Sequence, residues 1–255
     1  MADLVPERME LEFDTVAEWT RVAVAELGDD HAIPAACRGS ASPDGLDRLV
    51  AACGVGRGTR LADVGGGTGG PAAYAREYFG ADPVVVDPMP GACRAAASMF
   101  GLPAVVGDGH RILLATGSVP ACWCLGVLRT VREKDVLLGE LHRILRPGGG
   151  LGLLVYTADE PRPAGAPEGN LFPTVAGTRD LLDQAGFTVV EEAPLTGFAD
   201  APRSWHDRIG RVDEVLTRDH GDDPRFRAAE EQADRIGRLI SEGTVTGVLL
   251  HATAR

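Results

Sequence analysis

The chain has 255 residues, of which 44% are hydrophobic, which is enough for one large domain with a full core. Its 25 Lys and Arg residues against 37 Asp and Glu give a net charge of −12, and such a surface repels phosphate backbones. No apolar run approaches the roughly 20 residues that span a bilayer, and the charged start MADLVPERMELEF lacks the apolar core of a signal peptide. We therefore expect a cytoplasmic protein with neither a membrane nor a nucleic acid as partner.

The first fifty residues predict two helices with a loop between them. Apolar residues recur near helical spacing over residues 11–28, and Gly28 ends that helix. The stretch from Ile33 to Pro43, IPAACRGSASP, predicts a loop. Ser42 then caps a helix that has Pro43 in its first turn and runs to Cys53.

From residue 61 onwards, strands and helices alternate. Predicted strands cover residues 61–64, 83–86, 104–106, 121–125 and 151–156. Predicted helices cover residues 71–78, 91–100 and 134–145, the last of them ended by Pro147 and the three glycines that follow. This rhythm predicts a parallel sheet with right-handed crossovers.

The last third of the chain continues the pattern and adds a charged segment. After a Pro/Gly-rich loop, PRPAGAPEGN, the sequence predicts a helix over residues 178–185 and a strand over 187–190. Residues 203–242 are rich in charge and predict two helices, the second beginning at Asp223-Pro224. Val245–Ala252 is predicted to be the last strand. Five cysteines without repeated spacing do not predict a disulfide framework.

The stretch LADVGGGTGGPAAYA, which begins at Leu61, predicts a nucleotide loop that fits two kinds of ligand. The glycines at 65, 67 and 70 match G-x-G-x-x-G, the dinucleotide fingerprint. Asp63 with the glycines at 65, 67 and 69 instead matches D-x-G-x-G-x-G, the loop of S-adenosylmethionine-dependent enzymes. The glycines alone do not separate these two readings.

Carboxylates at the ends of successive strands favour S-adenosylmethionine. Asp63 lies near the end of the first strand, where an acid suits a cationic amino group better than an anionic pyrophosphate. Asp87 ends the second strand, a position that binds ribose hydroxyls with either ligand, so it does not discriminate. Asp108, in GDGH at the end of the third strand, can accept a hydrogen bond from an adenine amino group.

Several motifs in order resemble those of the class I S-adenosylmethionine-dependent methyltransferases: LADVGGGTGG, VVVDP, GDGH, WCLGVLRTV, LHRILRPGGGLGLLVY and LLDQAGFTVV. The resemblance covers roughly residues 43–193, with a final strand near 245–252. It implies an α/β fold with a Rossmann-like seven-stranded, mostly parallel sheet, helices on both faces and an antiparallel last strand. It also implies that N-terminal helices and a helical lid insertion cover the substrate.

The same resemblance divides the chain and assigns a cofactor site. The expected parts are an N-terminal helical cap (1–42), an S-adenosylmethionine-binding core (43–196), a helical lid insertion (197–243) and a final core strand (244–255). The cofactor, S-adenosyl-L-methionine, would be bound by Asp63, Gly65, Gly67, Gly69, Asp87, Asp108, Gly109 and Gly126. The glycine loop would pass under the methionine part, and Gly126 with Val127 would line the methyl-donor pocket through backbone. Pro88-Met89 departs from the more polar pair of the family, so no side-chain contact from Met89 is expected.

Methyl transfer requires the nucleophile, the methyl carbon and the sulfur to be aligned, and water to be excluded. The candidate catalytic residues are His206, Tyr156 and Arg129, and the candidate substrate-binding residues are Arg38, Arg203, Trp205 and Arg208. The Asn-Pro-Pro-aromatic signature of enzymes that methylate nucleic-acid bases does not follow the fourth strand. We therefore expect a small-molecule substrate, of specialised metabolism given the lid, and no metal.

Four questions stay open at this stage. If the candidate arginines converge on one cavity, they would bind a phosphate or carboxylate, and the substrate would be anionic. A prenyl-diphosphate C-methyltransferase is the alternative that corresponds to such a substrate. Arginines on a charged helix more often form a solvated face. A non-methylating cyclase that binds S-adenosylmethionine and an NAD-dependent oxidoreductase are the alternatives outside methyl transfer. The accepting atom and the oligomeric state are undecided, although a homodimer is compatible with the sequence.

Overall fold

The computed structural model describes residues 11–255, in which seven strands form one sheet. The strands are β1 Arg60–Val64, β2 Asp82–Asp87, β3 Ala104–Val106, β4 Val119–Leu125, β5 Leu145–Thr157, β6 Phe187–Pro194 and β7 Thr246–Ala254. Their spatial order is β3-β2-β1-β4-β5-β7-β6. Neighbours from β3 to β5 are parallel, whereas β7 runs antiparallel to both β5 and β6. This confirms the predicted seven-stranded sheet and differs from the 3-2-1-4-5-6 order of the dinucleotide fold.

The helices follow the predicted alternation. They are α1 Val16–Leu27, α2 Ala32–Ala36, α3 Pro43–Ala52, α4 Gly70–Phe79, α5 Pro90–Phe100, α6 Lys134–Ile144, α7 Val175–Gln184, α8 Arg203–His220 and α9 Pro224–Ser241. A π-helical turn, Leu11–Thr15, precedes α1, and short 3₁₀ turns cover Asp29–His31 and Leu195–Gly197. Two predicted helix starts are confirmed by their caps: Ser42 Oγ accepts from Gly45 N at 3.4 Å, and Asp223 Oδ1 accepts from Arg225 N at 2.8 Å.

Helix α2 corrects the loop prediction for the first part of the stretch after Ile33. Its alanines Ala32 and Ala35 are buried against Val212 and Leu216 of α8. Ala favours helix, and the apolar partner lies almost two hundred residues away in sequence, so tertiary packing stabilises a helix of one turn. The local pattern, interrupted by Pro34, gave no sign of it.

The start of β5 corrects a second prediction. The glycines at 148–150 do not form a loop after α6, because β5 begins at Leu145 and contains them. A Cβ on Gly150 would lie 2.8 Å from Cys53 Cα, and one on Gly149 would lie 3.1 Å from Pro120 O. These glycines therefore let the strand pass close to the end of α3 and to β4, which is a recognised use of glycine within a strand.

Apolar side chains bury both faces of the sheet. On one face Leu138 and Leu141 of α6 and Leu182 of α7 pack against the strands. On the other face the fully buried Trp123 of β4 packs with Leu49 of α3. Helices on both faces are thus confirmed, and the carboxyl ends of the parallel strands are left as the edge where a ligand can bind.

The N-terminal helices and the charged helices form one joint layer. Val24 of α1, Ala35 of α2, Val215 of α8 and Phe226 of α9 share a buried cluster. The predicted cap and lid therefore pack on each other, and their proposed boundaries stay a prediction. Among residues 11–255, no helix has the length and apolar character that crossing a membrane requires. All five cysteines are buried and free.

Candidate active site

The glycine loop between β1 and α4 combines a tight contact with an open position. Gly65 and Gly67 have φ values of +70° and +55°, which residues with a Cβ rarely adopt. A Cβ on Gly65 would lie 2.3 Å from Cγ2 of Val127, just beyond β4. A Cβ on Gly67 would meet no atom within 4 Å. The loop is therefore packed on the β4 side at Gly65 and leaves space for a ligand at Gly67.

Asp63, on β1 beneath this loop, is a buried carboxylate that lacks a full set of partners. Its side chain is 1% exposed, and Oδ2 has no hydrogen-bond partner among the described residues. Burial, and then the nearby charge of Asp87, raise the pKa of Asp63 to about 7, while a backbone hydrogen bond from Ala72 opposes the rise. A cationic group that reached this oxygen would satisfy it and favour the ionised form of Asp63.

Asp87, at the end of β2, is held in one orientation by two backbone groups. Gly67 N donates to Oδ2 at 2.8 Å, and Met89 N donates to Oδ1 at 2.9 Å. Burial raises the pKa of Asp87, and these two N–H groups lower it. Each carboxylate oxygen keeps a further lone pair, so the group can also accept from a ribose diol. The Met89 side chain is itself buried in a cluster with Ala92.

The third predicted carboxylate is engaged in its own turn. Asp108 Oδ1 accepts from His110 N at 3.0 Å and from Arg111 N at 3.3 Å, and its side chain is exposed. His110 Nε2 lies 2.6 Å from Glu133 Oε2, which fixes the turn to the start of α6. A Cβ on Gly109 would lie 2.7 Å from Leu137 Cδ1. The role of Asp108 in adenine binding stays a prediction, and its two hydrogen bonds stabilise the turn at residues 109–111.

These features fit S-adenosyl-L-methionine. The orphaned oxygen of Asp63 suits the ammonium group of the methionine part, and the fixed carboxylate of Asp87 suits the ribose diol. The open position at Gly67 lies between them in the chain and donates its N–H to Asp87. A pyrophosphate at this loop would instead face the Asp63 carboxylate, so the second reading of the glycine pattern is the less favourable one.

The ends of β4 and β5 form the other half of the site. A Cβ on Gly126 would lie 3.8 Å from Tyr156 Cε2 and 3.5 Å from Gly39 O. The Tyr156 hydroxyl donates to Gly39 O at 3.3 Å, and Arg129 Cζ lies 5.7 Å from the centroid of the Tyr156 ring. The structure therefore brings Gly126, Arg129 and Tyr156 together, and we call these three residues the acceptor edge.

Residues 36–40, which we call the strap, cover both halves. A Cβ on Gly70, the first residue of α4, would lie 2.4 Å from the carbonyl carbon of Ala36, and Thr68 Oγ1 donates to Ala36 O at 3.4 Å. Arg38 forms an ion pair with Asp213 of α8 at 2.5 Å. Sequence reasoning placed Arg38 here but missed the strap as a unit, because its contacts are all distant in sequence.

The other candidates from the charged segment lie at the start of α8. Arg203 and His206 are exposed, and His206 Nε2 lies 3.3 Å from the exposed Asp200. The Trp205 ring packs edge-on against the Tyr74 ring of α4, with 6.3 Å between the ring centroids. Arg208 is half-buried. The structure thus joins Arg129 to Tyr156, turns Arg38 towards α8, and leaves Arg203 and His206 at the surface. Among residues 11–255, no three His, Cys, Asp or Glu side chains gather as a metal ion would need.

Comparisons with known proteins agree with this geometry. Residues 62–153, which run from β1 into β5, match the family model described as a methyltransferase domain. No curated protein matches the sequence.

Solved structures share the fold over most of the chain. The [4+2]-cyclase SpnF is 20% identical, with a TM-score of 0.66 over 85% of this chain and 86% of that one. A putative sarcosine dimethylglycine methyltransferase from Galdieria sulphuraria is 15% identical, with a TM-score of 0.61 over 82% and 83%. Geranyl diphosphate C-methyltransferase from Streptomyces coelicolor A3(2) is 15% identical, with a TM-score of 0.58 over 82% and 76%. Likenesses at such identities show the fold and leave the substrate open.

Proposed function

We propose that this protein methylates a small molecule at the acceptor edge. The chain carries a methyltransferase domain and has the fold of the class I S-adenosylmethionine-dependent methyltransferases, whose cofactor is S-adenosyl-L-methionine. One observation carries the proposal. The strap lies in contact with the start of α4 and with Tyr156, so both halves of the site are covered. A covered site of this kind admits a small molecule and excludes a folded macromolecule or a duplex.

The cofactor, when bound, supplies an electrophilic methyl group on a sulfonium. In our proposal the residues of the acceptor edge orient the nucleophile towards it. Burial raises the pKa of Tyr156, and the nearby charge of Arg129 partly opposes that rise, so the phenol stays protonated near neutral pH. Its O–H is donated to Gly39 O, which leaves the phenol oxygen free to accept from an incoming O–H or N–H group. Tyr156 thus orients the acceptor and takes no proton, and the proton that the oxygen or nitrogen loses on methylation passes to solvent water.

The charges around the site favour a neutral substrate over a diphosphate. Arg38 is already paired with Asp213, and Arg203 is exposed on the first turn of α8. Of the arginines singled out in the sequence, Arg129 is the one that borders Tyr156. We therefore propose a neutral, hydroxylated or enolic small molecule of specialised metabolism, with the prenyl-diphosphate alternative as the second outcome of the test.

The test is cofactor turnover with chemically defined acceptors. Purified protein and S-adenosylmethionine are incubated with neutral phenols and enols, with prenyl diphosphates, and with amino acids, and S-adenosylhomocysteine is quantified. We expect turnover with members of the neutral group. The Tyr156→Phe variant should lower that turnover about tenfold, because it removes the oxygen that contacts the acceptor and the hydrogen bond to Gly39 O of the strap. The affinity for S-adenosylhomocysteine should change little, because Asp63 and Asp87 remain in the cofactor half.

The matched control is Tyr78→Phe, since Tyr78 of α4 is 59% exposed. Turnover confined to prenyl diphosphates would contradict the neutral-substrate proposal. Tight cofactor binding with no S-adenosylhomocysteine formed from any acceptor class would favour the non-methylating alternative.

A further inference from the structure

Two buried polar side chains lie outside the cofactor half of the site and are tied to the same loop. Asn170 is 5% exposed and Gln232 of α9 is 2% exposed, and buried polar groups call for an explanation. Glu168 N donates to Gln232 Oε1 at 3.1 Å, and Asn170 Nδ2 donates to Glu168 O at 3.4 Å. Both side chains thus bind the loop between β5 and α7, and Gln232 connects that loop to α9.

The loop continues directly to the acceptor edge. Arg129 Nη1 donates to Asn170 Oδ1, and Leu171 N donates to Arg129 O at 2.6 Å. Arg129 is therefore held at its side chain and at its backbone by two consecutive residues of the loop. Its guanidinium carbon lies 5.7 Å from the Tyr156 ring centroid, within the range of a cation–π interaction. Hydrogen bonds and one ring contact thus run without a break from α9 to Tyr156.

We propose that Asn170 and Gln232 are positioning residues, which hold the Arg129 guanidinium over the Tyr156 ring and so couple the docking of α9 to the geometry of the acceptor edge. The inference rests on the proposed function, because that function assigns Tyr156 to the acceptor. Asn170 acts directly on Arg129, whereas Gln232 acts through Glu168 and the loop.

Packing alone would not require these polar groups. Phe172 of the loop, Leu239 of α9 and Val245 already share a buried apolar cluster, which fastens α9 to the loop. A planar guanidinium has several donors and swings freely on its stem unless an acceptor fixes it. The amide oxygen of Asn170 supplies such an acceptor at a fixed point. Gln232 Nε2 has no hydrogen-bond partner among the described residues, so this side chain is held by its carbonyl oxygen.

The experiment observes the Tyr156 ring and needs no acceptor substrate. The protein has three tyrosines, so labelling with ¹³C at tyrosine Cζ gives a spectrum in which Tyr156→Phe assigns the resonance of interest. Arg129→Met defines the shift that accompanies loss of the cation. We expect Asn170→Leu to move the Tyr156 resonance as Arg129→Met does, and Gln232→Met to move it in the same direction by a smaller amount.

Conservative and control variants separate positioning from general damage. Asn170→Asp keeps an acceptor for Arg129 but loses the Nδ2 donation to Glu168 O, so its resonance should move less than that of Asn170→Leu. Gln184→Met, at an exposed glutamine of α7, should retain the wild-type resonance. Asn170→Ser is the second variant at that position if the leucine prevents folding, and it should move the resonance as well. A wild-type resonance in a folded Asn170→Leu or Asn170→Ser protein, with Arg129→Met shifted, overturns the proposal.

Two further readouts keep this inference distinct from the proposed function. The Kd for S-adenosylhomocysteine should stay within about twofold in Asn170→Leu, whereas kcat with an acceptor found by turnover should fall about tenfold. If Asn170→Leu shifts the Tyr156 resonance but the wild type methylates no acceptor, the positioning role stands and the proposed function is wrong. If Asn170→Leu methylates an acceptor at the wild-type rate and its Tyr156 resonance is unshifted, the proposed function stands and the positioning role is wrong.

Discussion

The two halves of the site are built in different ways. The cofactor half takes Asp63, Gly65, Gly67 and Asp87 from one β-α-β unit, in which β1, the glycine loop, α4 and β2 follow one another within 28 residues (60–87). The acceptor half brings together residues of the strap, β4, β5 and α9, which are far apart in the chain. Cofactor binding is therefore encoded locally, whereas the acceptor geometry depends on packing of the whole chain.

Their charges differ as well. The cofactor half contains Asp63, which is buried and has an oxygen without a partner among residues 11–255. In the acceptor half the charged groups have side-chain partners, since Arg129 donates to the neutral amide of Asn170 and the neighbouring strap pairs Arg38 with Asp213. Without ligand, the cofactor half carries an unfavourable charge that its cofactor would neutralise. We therefore expect larger effects from changes in the cofactor half.

The largest expected effect is on the pH dependence of folding. The pKa of Asp63 is raised to about 7 in the folded protein from an ordinary value of 3.8. The folded state thus binds more protons than the unfolded state between these values, and stability falls as pH rises through this window. From pH 5 to pH 8 the wild type should lose about 3 kcal/mol of unfolding free energy relative to Asp63→Asn, measured by urea denaturation without cofactor. Parallel pH profiles of the two proteins would contradict the assignment.

The next effect concerns cofactor affinity. Asp63→Asn removes the negative charge opposite the ammonium group, and truncation of one member of a buried charged pair costs about 2–5 kcal/mol. We expect the Kd for S-adenosylhomocysteine to rise about 100-fold by calorimetry at pH 8. The variant should thus bind its ligand less well although its folded state no longer carries a buried charge. Unchanged affinity would place the ammonium elsewhere.

Asp87→Ala should have a somewhat smaller effect on the same measurement. The carboxylate makes charge-assisted hydrogen bonds, each worth about 1.5–3 kcal/mol, and it also fixes Gly67 and Met89. We expect affinity to fall at least about tenfold. Asp82→Ala, at the exposed start of the same strand, is the control and should leave the affinity as it is. Equal affinities for both variants would show that the ribose lies away from Asp87.

The smallest effect is expected from the ion pair that joins the strap to α8. The Arg38 and Asp213 side chains are 30% and 53% exposed, so solvent screens their attraction. A double-mutant cycle with Arg38→Gln and Asp213→Asn should give a coupling free energy below about 1 kcal/mol in thermal or urea unfolding. A coupling free energy of several kcal/mol would show that this ion pair holds the strap. Changes in the two halves of the site would then have effects of similar size.

The same contrast explains which features the sequence predicted. The glycine loop, Asp63 and Asp87 follow from local spacing, and the sheet follows from the alternation of apolar strands with helices. The helix α2 and the early start of β5 did not follow, because each is stabilised by residues distant in sequence. Arg129 and Tyr156 were singled out individually, but their contact was not predictable.

The sequence does not predict a role for Asn170 or Gln232, for a related reason. An amide side chain in a loop or on a charged helix gives no periodic signal, and its burial depends on elements that meet only in the folded chain. His206 is the opposite case, because the sequence predicts a role in the site for a residue that lies at the surface. A histidine near Trp205 and two arginines suggested chemistry, but its side chain is exposed beside Asp200. Its catalytic role stays a prediction that the geometry does not favour.

The position of β7 between β5 and β6 has a consequence for the order of events on the ribosome. β5 and β6 are synthesised well before residues 246–254, yet neither can pair with the other in the final sheet. Until β7 emerges, β6 has no sheet neighbour and the outer edge of β5 stays open, and unpaired strand edges are templates for aggregation. The nascent chain therefore needs protection longest at this edge, and insertion of β7 marks the end of that vulnerable period.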